Sequence, residues 1–322
     1  MDAARPRRPS LMRRDDSRAC VKAPSKRQRD PWIGKNMQQI DVGHFELTAT
    51  PLSSQRTRYP LAASTFGAEE IEAAKAVLDS GRLTMGPLVH AFEAEFAAWT
   101  GAEHALMVNS GSSANLLMVD AMLRRSRRPA AWQVGDEVLV PGLAWSTTVW
   151  PLAQLGLVPV FVDIDPNTLA IDLESAKAAL TSRTRGMFLI HVLGQVPAMD
   201  SYVAFCRQNG LALLEDACES LGGHFAGRHV GTFAPMGAFS CYFSHHISTI
   251  EGGVIITSDS ELLDDLKSLR AHGWVRDRSD ASYWKEQHTE LDPRFLFMSG
   301  GYNVRPTEIQ AAVGRVQLHK LD

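Results

Sequence analysis

The sequence predicts an α/β domain, a mostly parallel sheet covered by helices on both faces. Three observations predict it. Short apolar runs alternate along the chain with segments whose apolar residues recur every three or four positions, as strand and helix do in succession. Glycine stands where several of the helical patterns stop. The polar residues with chemical potential mostly follow the apolar runs, at the strand ends where ligands gather in such sheets.

The first helix is set by Ile71, Ala74, Val77 and Leu78, with Gly81 at its stop. The second carries Val89, Phe92, Phe96 and Trp99 on one side and ends at Gly101; residues 81–86 form the loop between them. Residues 105–108 are a short apolar strand, and the helix after it carries Leu116, Leu117, Val119 and Met122. The basic, proline-bearing stretch 124–129 is a solvated loop. Further strands are expected at 137–140, 158–162, 186–190, 211–214, 236–239 and 254–257. Helices are expected at 146–155, 173–180, 199–209 and 306–321, the last with Pro306 in its first turn. Crossovers between parallel strands should be right-handed.

The chain has 322 residues, enough for one large core or one large and one small domain. Its hydrophobic share of 45% and charged share of 21% are those of an ordinary globular protein. No apolar run reaches the ~20 residues that span a bilayer. The net charge of -3 gives no electrostatic case for nucleic acid. Charge is unevenly spread, because residues 1–40 hold eleven Lys or Arg and four Asp, so the remainder carries the acidic excess. Residues 1–58 show no sustained periodicity and read as a basic, disordered tail, with 59–322 as the folded domain. The tail lacks a signal peptide's apolar core, and its Asp2, Asp15, Asp16 and Asp30 argue against a transit peptide. A start codon set too early and a polyanion-binding tail are the other readings. Cys20, Cys206, Cys218 and Cys241 show no metal-site spacing, which suits a reducing, cytoplasmic setting.

Several residues invite chemistry. Ser110-Gly111-Ser112-Ser113 lies between a strand and a helix, where free N–H groups and the helix dipole bind phosphate; the plainer reading is a serine N-cap. Trp145 follows a strand and offers a plane for a ligand ring, although a lone tryptophan is more often core. Asp216 ends an apolar strand and suits either a turn cap or a partner for a protonated ring nitrogen. Residues 240–253 form a polar loop between two strands, with Ser240, His245, His246 and Glu251. An ordinary imidazole titrates near ~6.5 and can both accept and return a proton at neutrality. Asn303 and Arg305 stand in a loop that leads into the last helix.

Ser240-Cys241-Tyr242-Phe243-Ser244-His245-His246 with Glu251-Gly252-Gly253 resembles the cofactor loop of the pyridoxal-phosphate-dependent sugar aminotransferases of the DegT/DnrJ/EryC1/StrS type. The resemblance runs from about Tyr59 to the last residue. In most of that family a lysine five residues after the serine holds the cofactor covalently; here that position is His245. Histidine there resembles one subgroup, the GDP-4-keto-6-deoxy-D-mannose 3-dehydratases, which remove a sugar hydroxyl instead of delivering an amine.

The resemblance implies a fold-type I large domain and a homodimer with shared active sites. It implies pyridoxal 5′-phosphate and pyridoxamine 5′-phosphate as cofactor, with a nucleotide-linked 4-keto-6-deoxyhexose and L-glutamate as substrates. Gly111, Ser112 and Ser240 match phosphate ligands, Trp145 the residue that stacks on the ring, and Asp216 the partner of the ring nitrogen. Glu219 stands near the cofactor hydroxyl, where most relatives have glutamine. Asn303 would reach the partner subunit's cofactor phosphate, Arg305 would lie near the substrate, and His191 and Gln195 would be structural. His245 would be the proton carrier and His246 structural. The family continues into a smaller closing domain, which the resemblance implies is missing here. Three readings compete. An aminotransferase lacks its lysine here. An iron–sulfur-dependent dehydrase needs cysteines after Cys241, and none follow. A catalytically inactive, cofactor-binding or regulatory relative is the third.

Overall fold

The computed structural model describes residues 65–124 and 132–321. The expected basic tail, the start of the folded part at Tyr59 and most of the 124–129 loop lie outside the described residues.

Among the described residues there are nine strands: β1 (His104–Val108), β2 (Glu137–Pro141), β3 (Val158–Val162), β4 (Thr184–Ile190), β5 (Ala212–Asp216), β6 (His224–Phe225), β7 (Arg228–His229), β8 (Met236–Ser240) and β9 (Gly253–Thr257). Seven form one sheet in the order β1-β9-β8-β5-β4-β2-β3, and β6 and β7 make a separate short hairpin. In the seven-stranded sheet β9 runs antiparallel to both of its neighbours, and the remaining pairs of that sheet are parallel. The mostly parallel sheet expected from the alternation is therefore present. Its carboxyl edge brings Val108, Asp216 and Ser240 to one end.

The helices are α1 (Ala68–Ser80), α2 (Pro87–Thr100), α3 (Gly111–Arg124), α4 (Ser146–Gln154), α5 (Leu173–Ala178), α6 (Met199–Gln208), α7 (Ser260–Arg270), α8 (Ala281–Gln287) and α9 (Glu308–Leu318). On one face of the sheet, α3, α4 and α7 bury Leu117, Met118, Leu152, Leu262 and Leu266 against Val138, Phe188, Leu214 and Ile255. On the other face, Phe92 and Phe96 of α2 pack on Met107, Phe239 and Val254. Further along that face, Met199 and Tyr202 of α6 pack on Met187 and Leu189. In β4, Phe188 points to one core and its neighbours Met187 and Leu189 to the other. This is why the run is apolar at consecutive positions: both faces are covered.

Two expectations need adjustment. The apolar stripe of α1 is not all core, because Val77 is buried while Ile71 and Leu78 are exposed. The last helix starts at Glu308, not Pro306, because Thr307 takes the cap: its hydroxyl accepts from the Gln310 amide, and Gln310 reaches back to the Thr307 amide. Glu308 itself turns away to another helix. Its carboxylate accepts from the amides of Gly86, Leu88 and Val89, closing the N-terminus of α2. No helix among the described residues is long and apolar enough to cross a membrane.

Candidate active site

The site assembles where α3 and α4 begin and β5 and β8 end. After β1, Ser110 turns the chain into α3. Its hydroxyl accepts from the Ser113 amide at 3.1 Å and its carbonyl from the Ala114 amide at 3.0 Å, so the serine cap exists. The amides of Gly111 and Ser112 precede these and have no partner within the helix. Gly111 is required by close approach: a Cβ there would lie 2.8 Å from Ser240 Cβ and 2.9 Å from Cys218 Sγ. Gly253 is pressed from the other side, where a Cβ would come within 2.3 Å of the Ser110 carbonyl. The helix head is thus held in a cradle of small residues, with Ser240 beside it.

Asp216 is buried at the end of β5. Its Oδ2 accepts from Asn115 Nδ2 at 2.8 Å and from the Thr148 hydroxyl at 2.7 Å; its Oδ1 accepts from the Cys218 amide at 3.0 Å. Trp145 stands at the N-cap of α4 with 71% of its surface exposed, far from a core tryptophan. Next to it, the Thr147 hydroxyl lies 2.7 Å from that of Ser112 and joins α4 to the head of α3. Glu219 is exposed, and its Oε2 accepts from the Leu193 amide at 3.1 Å. That amide belongs to a strained turn, because Leu193 sits at φ 51°. His191 fixes the turn from below through Glu215, and Gln195 closes it with a bond to the Val192 carbonyl.

The loop over residues 240–253 is closed at its base. The Cys241 amide donates to the Gly252 carbonyl and the Thr249 amide to the Cys241 carbonyl, both at 2.9 Å. Helix α9 braces it through Gln317 to the Ser248 amide and through Gln310 to the Glu251 carbonyl. At its tip the His245 amide donates to the Tyr242 carbonyl, and the two rings meet edge to face at 5.9 Å. His245 Nδ1 is buried and has no hydrogen-bond partner among the described residues. Burial, and then the neighbouring His245, push the His246 imidazole below its usual range, with Glu219 opposing them. Burial raises the Cys218 thiol, with Asp216 adding to it, and raises Cys241 to about 12. Burial thus favours the uncharged thiol at both positions.

Asn303 and Arg305 lie on a segment that runs beside Asn109, whose amide donates to the Val304 carbonyl at 3.0 Å. Their side chains bond each other, Arg305 Nε to Asn303 Oδ1 at 3.0 Å. Among the described residues no hydrogen bond joins this pair to the Asp216 cluster. The structure thus gathers Gly111, Ser112, Trp145, Asp216 and Ser240 around the heads of α3 and α4, and His245 with Glu219 close to His246. Asn115, Thr147 and Thr148 escape a reading of motifs. Their only sequence signal is polarity: Asn115 interrupts an apolar helix face, and the two threonines follow Trp145.

These residues fit a phosphorylated pyridine cofactor. The helix head offers unpaired amides for its phosphate, Trp145 a plane, Asp216 Oδ1 an acceptor with one donor already in place, and His245 an orphaned ring nitrogen. No group that could hold a metal ion occurs among the described residues.

The fold and site define a pyridoxal-phosphate-dependent enzyme of fold type I. The chain belongs to the DegT/DnrJ/EryC1/StrS aminotransferase family, whose model matches residues 64–322. It is 43% identical over 266 residues to the GDP-4-keto-6-deoxy-D-mannose 3-dehydratase of Yersinia pseudotuberculosis, covering 82% of this chain and 67% of that one. Among solved structures it is similar to the E. coli GDP-4-keto-6-deoxy-D-mannose-3-dehydratase with bound hydrated PLP. There the TM-score is 0.76 at 43% identity, over 82% of this chain and 68% of that chain. A structure of a GDP-4-keto-6-deoxymannose-3-dehydratase with a trapped PLP-glutamate geminal diamine superposes with a TM-score of 0.74 at 42% identity, over 82% and 68% of the two chains.

Proposed function

We propose that this protein is a 3-dehydratase of a nucleotide-linked 4-keto-6-deoxyhexose, GDP-4-keto-6-deoxy-D-mannose, with L-glutamate as co-substrate. The observation that carries it is His245, an imidazole whose buried Nδ1 has no partner among the described residues, at the position where the family resemblance places a covalent lysine. Bound pyridoxamine 5′-phosphate supplies an amine for the C4 ketone and a ring that takes up electrons.

The chain's own part is to bind, orient and move protons. The head of α3 and Ser240 would hold the phosphate, Trp145 would offer its plane to the ring, and Asp216 would pair with its nitrogen. His245 cannot tether the cofactor through an imine, so its ring would serve as the proton carrier in the loss of the C3 hydroxyl. Overall, the sugar exchanges its C3 hydroxyl for hydrogen, and glutamate leaves as 2-oxoglutarate and ammonia. Glu219 would sit near the cofactor hydroxyl, Arg305 near the substrate, and Asn303 at the cofactor phosphate of a second copy, in a cytoplasmic homodimer.

The test incubates the protein with pyridoxal 5′-phosphate, L-glutamate and GDP-4-keto-6-deoxymannose and follows products by mass spectrometry. A 3-deoxy sugar with equimolar 2-oxoglutarate is the expected result. An aminated sugar as sole product overturns the reading.

A further inference from the structure

Asp216 is served by two side chains that no motif announced. Both come from helices that start at the site, Asn115 from the second turn of α3 and Thr148 from the first turn of α4. Both are nearly sealed from solvent, at 2% and 1% exposure. Both donate to the same oxygen, Oδ2, while Oδ1 accepts from the Cys218 amide, and the Cys218 thiol lies against the same carboxylate. A carboxylate oxygen accepts about two hydrogen bonds, so the two side chains fill Oδ2 and leave Oδ1 as the oxygen open to a ligand donor.

Asn115 fits poorly as a residue chosen for packing. Its neighbours on α3 are Ala114, Leu117 and Met118, all buried. Its Oδ1 is buried without a partner, a defect that an apolar side chain would avoid. The amide cannot turn over to relieve the defect, because that would set its oxygen against the Asp216 carboxylate. The orphaned oxygen is the consequence of keeping the N–H on Asp216.

We propose that Asn115 and Thr148 are positioning residues: together they occupy Asp216 Oδ2 and so dedicate Oδ1 to the nitrogen of the bound pyridine ring. The inference rests on the cofactor reading above. Thr148 acts through its hydroxyl, since valine has the same shape without the donor. Asn115 acts through its Nδ2, since leucine fills similar space without it.

The experiment uses the whole protein and pyridoxal 5′-phosphate as probe. Affinity is read from the absorbance change on binding, and the bound cofactor's spectrum is titrated with pH to follow ring-nitrogen protonation. For T148V the expected result is a Kd raised about tenfold, and a titration of the bound band moved to lower pH by about one unit. T148S should restore both to within about twofold of the parent, and N115L should shift the titration in the same direction as T148V. A merely structural role would change folding stability but not the titration. Unchanged titrations in T148V and N115L overturn the proposal, whatever their stability. Should T148V fail to fold, N115L carries the same decision. A parent protein that does not bind pyridoxal 5′-phosphate overturns the cofactor reading itself, and this proposal with it.

Discussion

His191 Nε2 lies 2.9 Å from Glu215 Oε2, and both side chains are completely buried. Glu215 also accepts from the Gly231 and Ala234 amides, while the His191 carbonyl accepts from the Ser220 hydroxyl. One side of this pair ties β5 to the turn before β8, and the other fixes the turn that presents Leu193 to Glu219. Replacing His191 with alanine leaves the carboxylate short of a partner and opens a cavity. We expect a loss of about 3 kcal/mol in urea unfolding at neutral pH. A loss under about 1 kcal/mol would show that the pair is not a structural anchor.

Glu308 and the head of α2 make a second long-range joint. Three backbone amides converge on one carboxylate from more than 200 residues away in sequence. Glu308→Ala should cost about 2 kcal/mol, and Glu308→Gln about half of that, since one acceptor oxygen survives. Amide hydrogen exchange at Leu88 and Val89 should accelerate in both variants. Unaltered exchange at these amides would refute the cap.

How much of this was legible beforehand varies with the range of the interaction. The strand at 158–162 is observed over the same residues, because a bounded apolar run needs only local information. The stops at Gly81 and Gly101 were equally local; both glycines adopt left-handed φ, at 67° and 74°. Helix α7 was not read from the sequence, although Asp259 at its cap and Leu262, Leu266 and Leu269 at helical spacing carry the usual signal. The site divides in the same way. Ser110, Gly111, Trp145, Asp216 and His245 sit in recognisable local contexts. Asn115 and Thr148 gain meaning only by touching Asp216 from 101 and 68 residues away, and Glu308 by touching Gly86. Contacts of that range leave no local periodicity to read.

His229 supplies a pH-dependent element away from the site. It is buried between Trp99, His224 and Phe239. Its Nε2 accepts from the Gly222 amide at 3.0 Å, so its proton is on Nδ1, which donates to the Val230 carbonyl. Burial lowers its affinity for a second proton below the usual 6.5, against a smaller opposing effect of the Val230 carbonyl. The unfolded chain therefore binds that proton more readily than the folded one. The stabilisation is fully present above the unfolded value and fades as pH falls through the lower folded value. Urea midpoints should drop on going from about pH 7.5 to about pH 5.5, and His229→Asn should remove part of that drop. An acid-side slope identical in the two proteins would assign the effect elsewhere.

His245 decides whether the cofactor is tethered. An imidazole has no amine with which to form an imine, so the resting protein should hold pyridoxal 5′-phosphate by non-covalent contacts alone, among them the α3 head, Ser240, Trp145 and Asp216. Borohydride treatment of the parent with bound cofactor should therefore leave no cofactor mass on the peptide containing residue 245. In His245→Lys the same treatment should fix the cofactor to that peptide, because the loop braced by Gln310 and Gln317 keeps its course. His245→Asn separates the two roles of the position. Asparagine retains hydrogen bonding but cannot carry a proton, so cofactor affinity should stay within a few fold while turnover falls by about 10²–10⁴. Reduced cofactor found attached inside the site of the parent protein would remove the basis for histidine as an untethered proton carrier, and the enzyme would then have to be read as an aminotransferase.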